Sequence, residues 1–168
     1  MSVAVFLRGI NVGGNKKIPM AGLRQALERH GYTGVKTLLQ SGNVILDKAD
    51  AVDIEKIIQA EFAMDVRVMI RTHGELTKVI SGNPFKRHED QPSRLAVAFL
   101  EKDPGEVTID RAFYEPDDFV VKGKEIYLWF PNGQAETKLL NSAFQRAVGV
   151  AATVRNWNTV TKMADLTK

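Results

Sequence analysis

The sequence predicts an α+β fold of two ferredoxin-like βαββαβ units packed into one compact body. Three observations lead there. Short apolar runs alternate with segments of helical spacing. That order of elements occurs twice along the 168 residues. A residue match joins the two occurrences: Ile70-Arg71-Thr72 and Leu76-Thr77-Lys78-Val79 line up with Val154-Arg155-Asn156 and Val160-Thr161-Lys162-Met163 at a constant offset, 70 to 154.

Val3 to Leu7 is continuously apolar, as a central strand covered on both faces requires. A glycine-rich loop follows, Gly9-Ile-Asn-Val-Gly-Gly-Asn15. Met20, Leu23, Leu27 and His30 then recur at helical spacing, with Pro19 at the start and Gly31 past the end. Val35–Leu39 and Asn43–Asp47 are two strands, and Gln40-Ser41-Gly42 turns between them as a hairpin. Ile54, Ile57, Ile58 and Phe62 make a second amphipathic helix that Asp50 or Asp53 can cap. Val66–Ile70 is a strand, and Leu76, Val79 and Ile80 a short helix.

Ser81 to Ser93 is polar, contains two prolines and suits a connection between halves. The units are placed at residues 1–83 and 94–168, with 84–93 as the linker. The second half repeats the order. Leu95–Leu100 is a strand, and Asp103-Pro104 opens a weak helical or irregular piece to about Phe113. Phe119–Val121 and Glu125–Phe130 flank the turn Lys122-Gly123-Lys124. Leu139, Leu140, Ala143, Phe144 and Ala147 form a helix after Thr137 that Gly149 ends. Ala152–Arg155 is a strand and Val160–Leu166 a closing helix. A lone unit of about 80 residues is marginally stable, so the two are expected to gain by packing together.

Composition narrows the function classes. The chain is 44% apolar and 26% charged, an ordinary soluble balance, and contains no cysteine. Disulfides, thiolate metal sites and a cysteine nucleophile are excluded. His30, His73 and His88 lack metal-ligand spacing, so no metal and no cofactor is expected. The apolar stretch at the N-terminus is only about five residues, too short for a signal peptide or membrane span. A cytoplasmic location without a membrane partner is the expectation.

Charge is uneven. Residues 1–46 carry Arg8, Lys16, Lys17, Arg24, Arg29 and Lys36 against Glu28 alone, whereas residues 85–168 are balanced. A basic patch of this kind attracts anions and is weakened by salt. In the expected topology the loop after the first strand and the turn between the second and third meet at one end of the sheet. That end gathers Arg8, Asn11, Asn15, Lys16, Gln40, Ser41 and Asn43, with Gly13 and Gly14 leaving backbone N–H groups accessible. Such a concavity suits a phosphate or carboxylate. The loop is neither a P-loop nor a dinucleotide fingerprint. Arg155, Asn156 and Trp157 form a second unusual stretch. The tryptophan either stacks on a planar ligand or packs between the halves, and Asn156 or Asn158 can cap the last helix.

RNA-recognition domains share the βαββαβ order and stack bases on aromatics of their central strands. Here the third strand, Asn43–Asp47, has no aromatic and lacks that signature. Tyr127, Trp129 and Phe130 follow core alternation instead.

The stretch Leu7-Arg8-Gly9-Ile10-Asn11-Val12-Gly13-Gly14, Thr37 with Gln40-Ser41-Gly42-Asn43-Val44, Asn83-Pro84-Phe85 and Thr153 to Val160 together resemble the domain-of-unknown-function 1697 family. The resemblance implies a cytosolic bacterial protein with a two-part α+β fold. It brings no activity or catalytic residue. The leading expectation is a protein that binds an anionic ligand, a phosphate-bearing small molecule or nucleic-acid backbone, at residues 8–17 and 40–43. The alternatives are an enzyme acting on a small substrate through the same loops, and a structural or interaction module.

Overall fold

The computed structural model describes residues 1–11 and 16–168. Two four-stranded antiparallel sheets carry the fold, with α-helices on them, so the α+β class holds. Contacts group Met1–Lys78 with Lys162–Lys168 as one unit and Val79–Thr161 as the other.

In the first unit β1 (Val3–Leu7) is followed by α1 (Met20–Arg29), β2 (Lys36–Leu38), β3 (Asn43–Leu46), α2 (Ala51–Phe62), β4 (Val68–Thr72) and the start of α3 (His73–Ser81). The strand order is β2-β3-β1-β4. β1 is central, which explains its unbroken apolar run: Val5 and Leu7 enter the core with Leu23, Leu27, Ile54 and Ile58 of the helices. Ala4 and Phe6, on the other face, are buried too. The α2 helix starts where expected, because the Asp50 side chain accepts from the Asp53 N–H. The fourth strand begins two residues later than the apolar pattern suggests. Its register with β1 runs from Val68 opposite Leu7 to Thr72 opposite Val3, and Val66 is buried before pairing starts.

The second unit runs β5 (Leu95–Leu100), α4 (Arg111–Tyr114), β6 (Asp118–Lys122), β7 (Glu125–Trp129), α5 (Ser142–Val148), β8 (Ala152–Asn156) and the start of α6 (Trp157–Leu166), in the order β6-β7-β5-β8. Its core gathers Ala98, Leu128, Phe130 and Leu139 around the edge-on rings of Tyr114, Phe119 and Phe144. The piece after Asp103 takes the irregular of its two expected forms, and the next helix is shorter than the sequence suggests. Pro104, Gly105 and the β-branched Val107, Thr108 and Ile109 keep residues 103–110 out of helix until Asp110 caps α4. Thr137 does not start α5: its hydroxyl bonds Asp117 at 2.6 Å and accepts from the Leu139 N–H at 3.1 Å, and the helix begins only at Ser142.

The segment 84–93, expected as a linker, forms part of the second unit. It makes two 3-10 turns, Lys86–His88 and Pro92–Arg94. Asn83 and Phe85 are buried; the Asn83 side-chain Oδ1 accepts from Phe85 N–H at 2.9 Å, and its side-chain amide nitrogen donates to Glu89 at 2.8 Å. The His88 ring stacks on Trp129 with centroids 3.7 Å apart. The C-terminal residues belong with the first unit through His73, whose Nδ1 donates to the Ala164 carbonyl at 2.9 Å, and through the Ser2 N–H, which donates to Thr167 O at 3.0 Å.

The repeat seen in the sequence is a repeat of structure. β4 and α3 begin at Val68 and His73, β8 and α6 at Ala152 and Trp157, the same offset as the residue match. The last strand residue caps the helix in both. Thr72 Oγ1 accepts from Glu75 N–H at 3.1 Å, and the Glu75 carboxylate accepts from Thr72 N–H at 2.9 Å, a capping box. Asn156 Oδ1 accepts from Thr159 N–H at 3.0 Å. Arg71 and Arg155, one residue earlier, are both buried and each donates to the preceding carbonyl, at 3.0 and 2.9 Å.

Truncating either cap, by Thr72→Ala or Asn156→Ala, is expected to cost about 1 kcal/mol in urea unfolding; a cost near zero at both contradicts the assignment. The hairpin glycines are expected to differ. Gly42 has φ +89, and a Cβ there would lie 2.9 Å from Leu7 Cβ and from Ile10 Cδ1. Gly123 has φ +56 and nothing within 4 Å. Gly42→Ala should lose about 2–4 kcal/mol and Gly123→Ala about 1 kcal/mol, compared by the same unfolding measurement. Equal losses contradict the packing described.

Candidate functional site

Three segments converge where β1 ends. The Leu7 N–H donates to Gly42 O at 2.8 Å, and the Arg8 N–H donates to Arg67 O at 2.9 Å. The β1–α1 loop, the β2–β3 turn and the approach to β4 therefore share one end of the first sheet. That is the end the sequence assigned to the candidate site.

Asn11 joins the first two segments. Its side-chain amide donates to Gln40 O at 2.6 Å and to Ile18 O at 3.0 Å, and its Oδ1 accepts from Ile18 N–H at 2.8 Å. Its own N–H donates to Lys16 O at 3.1 Å, which closes the base of the loop. Asn11 sits at φ 56, a left-handed conformation that asparagine tolerates better than most residues. Ile10 and Ile18 are buried beneath it. The α1 helix opens beside this loop with no acidic residue in its first turn, so no carboxylate offsets the positive end of its dipole.

The other candidates divide. Arg8, Lys16, Gln40 and Ser41 are exposed at this end, and Lys16 Nζ also donates to Asp65 O at 2.9 Å. Asn43 differs from the sequence expectation: it is fully buried, and its amide donates to Leu38 O at 2.9 Å and Ser41 Oγ at 3.0 Å, closing the turn rather than facing solvent. Gly13, Gly14 and Asn15 lie outside the described residues. Arg155, Asn156 and Trp157 belong to the second unit. Asn156 caps α6, Trp157 is buried as its first residue, and Arg155 donates to Thr153 Oγ1 and Val154 O. Burial pulls the Arg155 guanidinium down to about 10, which leaves it charged at neutral pH.

Arg67 escaped the sequence reading, as did the conformation of Leu39. Arg67 is exposed and opposite Arg8 across the β1–β4 pair, one step beyond Leu7 and Val68. Side chains of directly opposed residues lie on one face, so two guanidinium stems start side by side, a placement that like charges disfavour. The residue before a strand antiparallel to the first was the available signal. Leu39 is 60% exposed and has φ 61.

Backbone strain concentrates here. Among the described residues the non-glycine positions with positive φ are Asn11, Lys16, Leu39 and Ala63. The first three are in the two joined loops, and Ala63 ends α2 on the way to Arg67. Left-handed conformations cost about 1–2 kcal/mol each for residues with a Cβ and cluster at functional sites.

The second unit supplies an internal comparison. Its sheet end has the same hydrogen-bond frame: Leu100 N–H donates to Lys124 O at 2.8 Å, and Glu101 N–H donates to Ala151 O at 2.9 Å. Glu101 stands where Arg8 stands and Ala151 where Arg67 stands. Its hairpin turns through Gly123 and Lys124 alone, between paired Lys122 and Glu125, whereas the first turns through residues 39–42 between Leu38 and Asn43. The frame therefore forms without two arginines and without the longer turn.

Comparison with known proteins bears on the whole chain. The family model described as protein of unknown function DUF1697 matches residues 1–127. A conserved bacterial protein of Streptococcus pneumoniae has a similar solved structure, with TM-score 0.69 at 21% identity over 99% of this chain and 98% of that one. No curated protein matches. The likeness to the solved structure is one of fold, and the chain, matched from its first residue into β7, belongs to the DUF1697 family.

Proposed function

We propose that the protein binds a phosphate-bearing anion at the loop end of its first unit, through Arg8, Asn11, Lys16, Gln40, Ser41 and Arg67. The observation that carries this reading is the opposed pair Arg8 and Arg67, exposed at the end of β1 and replaced by Glu101 and Ala151 in the second unit. An anion that bridges two guanidinium groups gains charge-assisted hydrogen bonds from both. Lys16 and Lys17 extend the positive field, and α1 directs its N-terminal turn to the same end. Each unit is further inferred to be ferredoxin-like: the element order with a β2-β3-β1-β4 sheet supports it.

Calorimetric titration with inorganic phosphate and with ATP tests the reading. Affinity is expected to fall between about 50 and about 200 mM salt. Arg8→Ala and Arg67→Ala should each weaken binding about tenfold. Lys102→Ala, next to the corresponding end of the second unit, should leave it unchanged. Absence of binding, or binding indifferent to salt and to both arginines, contradicts the proposal.

A further inference from the structure

Leu39 is the feature of this end that an anion does not explain. The residue is 60% exposed, and its backbone is left-handed at φ 61. A bulky residue in that conformation is a genuine outlier. The turn is longer than its second-unit counterpart, so hairpin closure does not require the position. The other large apolar side chains exposed among the described residues are Met1, Val52 and Phe113. Met1 and Val52 lie toward the opposite end of the first sheet, before β1 and at the start of α2, and Phe113 is in the second unit. Leu39 is thus a single apolar contact, flanked by the exposed amide of Gln40 and hydroxyl of Ser41.

We infer that the ligand carries a nucleobase as well as its phosphate, with the flat face of the base packed on Leu39. The inference rests on the anion-binding reading above. Chemistry selects the class. An acyl chain needs a continuous apolar groove, and a bare sugar phosphate leaves the isobutyl group in water. A base offers a flat apolar face the size of one leucine, with heteroatoms at its edge for Gln40 and Ser41 to bond. Asn11 holds Gln40 by its backbone oxygen at 2.6 Å, so the Gln40 side chain remains available to the ligand while the turn stays fixed. A free nucleotide and a nucleic-acid strand share this chemistry.

The test compares inorganic phosphate, ribose 5-phosphate, AMP and a short single-stranded RNA on the full chain and on Leu39→Ala. Exposure of the side chain makes this variant safe for folding, and Leu39→Gly, which suits the backbone angle, provides a second. AMP should bind wild type about tenfold more tightly than ribose 5-phosphate, and both variants should reduce that ratio to about twofold while leaving ribose 5-phosphate binding unchanged. RNA binding tighter than AMP and weakened by both variants supports the base contact with a strand as the source; RNA binding no tighter than AMP supports it with a free nucleotide. Equal affinity for AMP and ribose 5-phosphate in wild type, or a preference that survives both variants, overturns the base contact and leaves the anion site standing. Failure of all four probes to bind wild type overturns both.

Discussion

The side chain of Asn11 is the contact on which the loop end of the first unit depends. One amide spans two segments that are 29 residues apart in sequence: it donates to the backbone oxygen of Gln40 and makes both a donor and an acceptor contact with Ile18. Glutamine is too long for this geometry. Aspartate can accept from Ile18 N–H but has no proton for either oxygen. A left-handed backbone at Asn11 turns the side chain inward, and asparagine is among the few residues that hold that angle at modest cost. One short polar side chain thereby fixes the relative position of Arg8, Gln40 and Ser41, and what an anion would meet follows from it.

The two units show which parts of this arrangement the fold requires. Both place the residue after the first strand opposite the residue before the fourth, and both close the central hairpin against the end of that first strand. Both cap the following helix with the last strand residue, by threonine in one and asparagine in the other, because each side-chain oxygen reaches the same N–H. Caps, core positions and buried arginines repeat. Arg8, Arg67 and the longer turn do not. What repeats answers to packing and hydrogen bonding common to both sheets, and what differs is free to answer to a ligand.

Much of this was legible in the sequence, for definite reasons. The central strands β1 and β5 were found to the residue because burial on both faces leaves no polar position within them. The meeting of loop and turn followed from element order alone. Other features left no such trace. The polar stretch around residue 86 resembles a linker because its anchors, Asn83 and Phe85, are few, and because the buried amide finds its partners within the segment itself. Thr72-x-x-Glu75 is a capping signature present in the sequence. Asn43 reads as a ligand group because turn residues are usually exposed, yet its amide donates to Leu38 and Ser41. The strain at Leu39 is invisible in one dimension, since nothing in Leu-Leu-Gln specifies a positive φ.

The bridge made by Asn11 is open to direct measurement by NMR in wild type and Asn11→Asp. Wild type should show nuclear Overhauser contacts from the Asn11 side-chain amide to residues 40 and 41, and slow exchange of that amide. The aspartate variant should retain protection of the Ile18 N–H while the resonances of residues 39–42 shift and exchange faster. Unperturbed residues 39–42 in the variant, or an Asn11 amide that exchanges as if in water, would contradict the account.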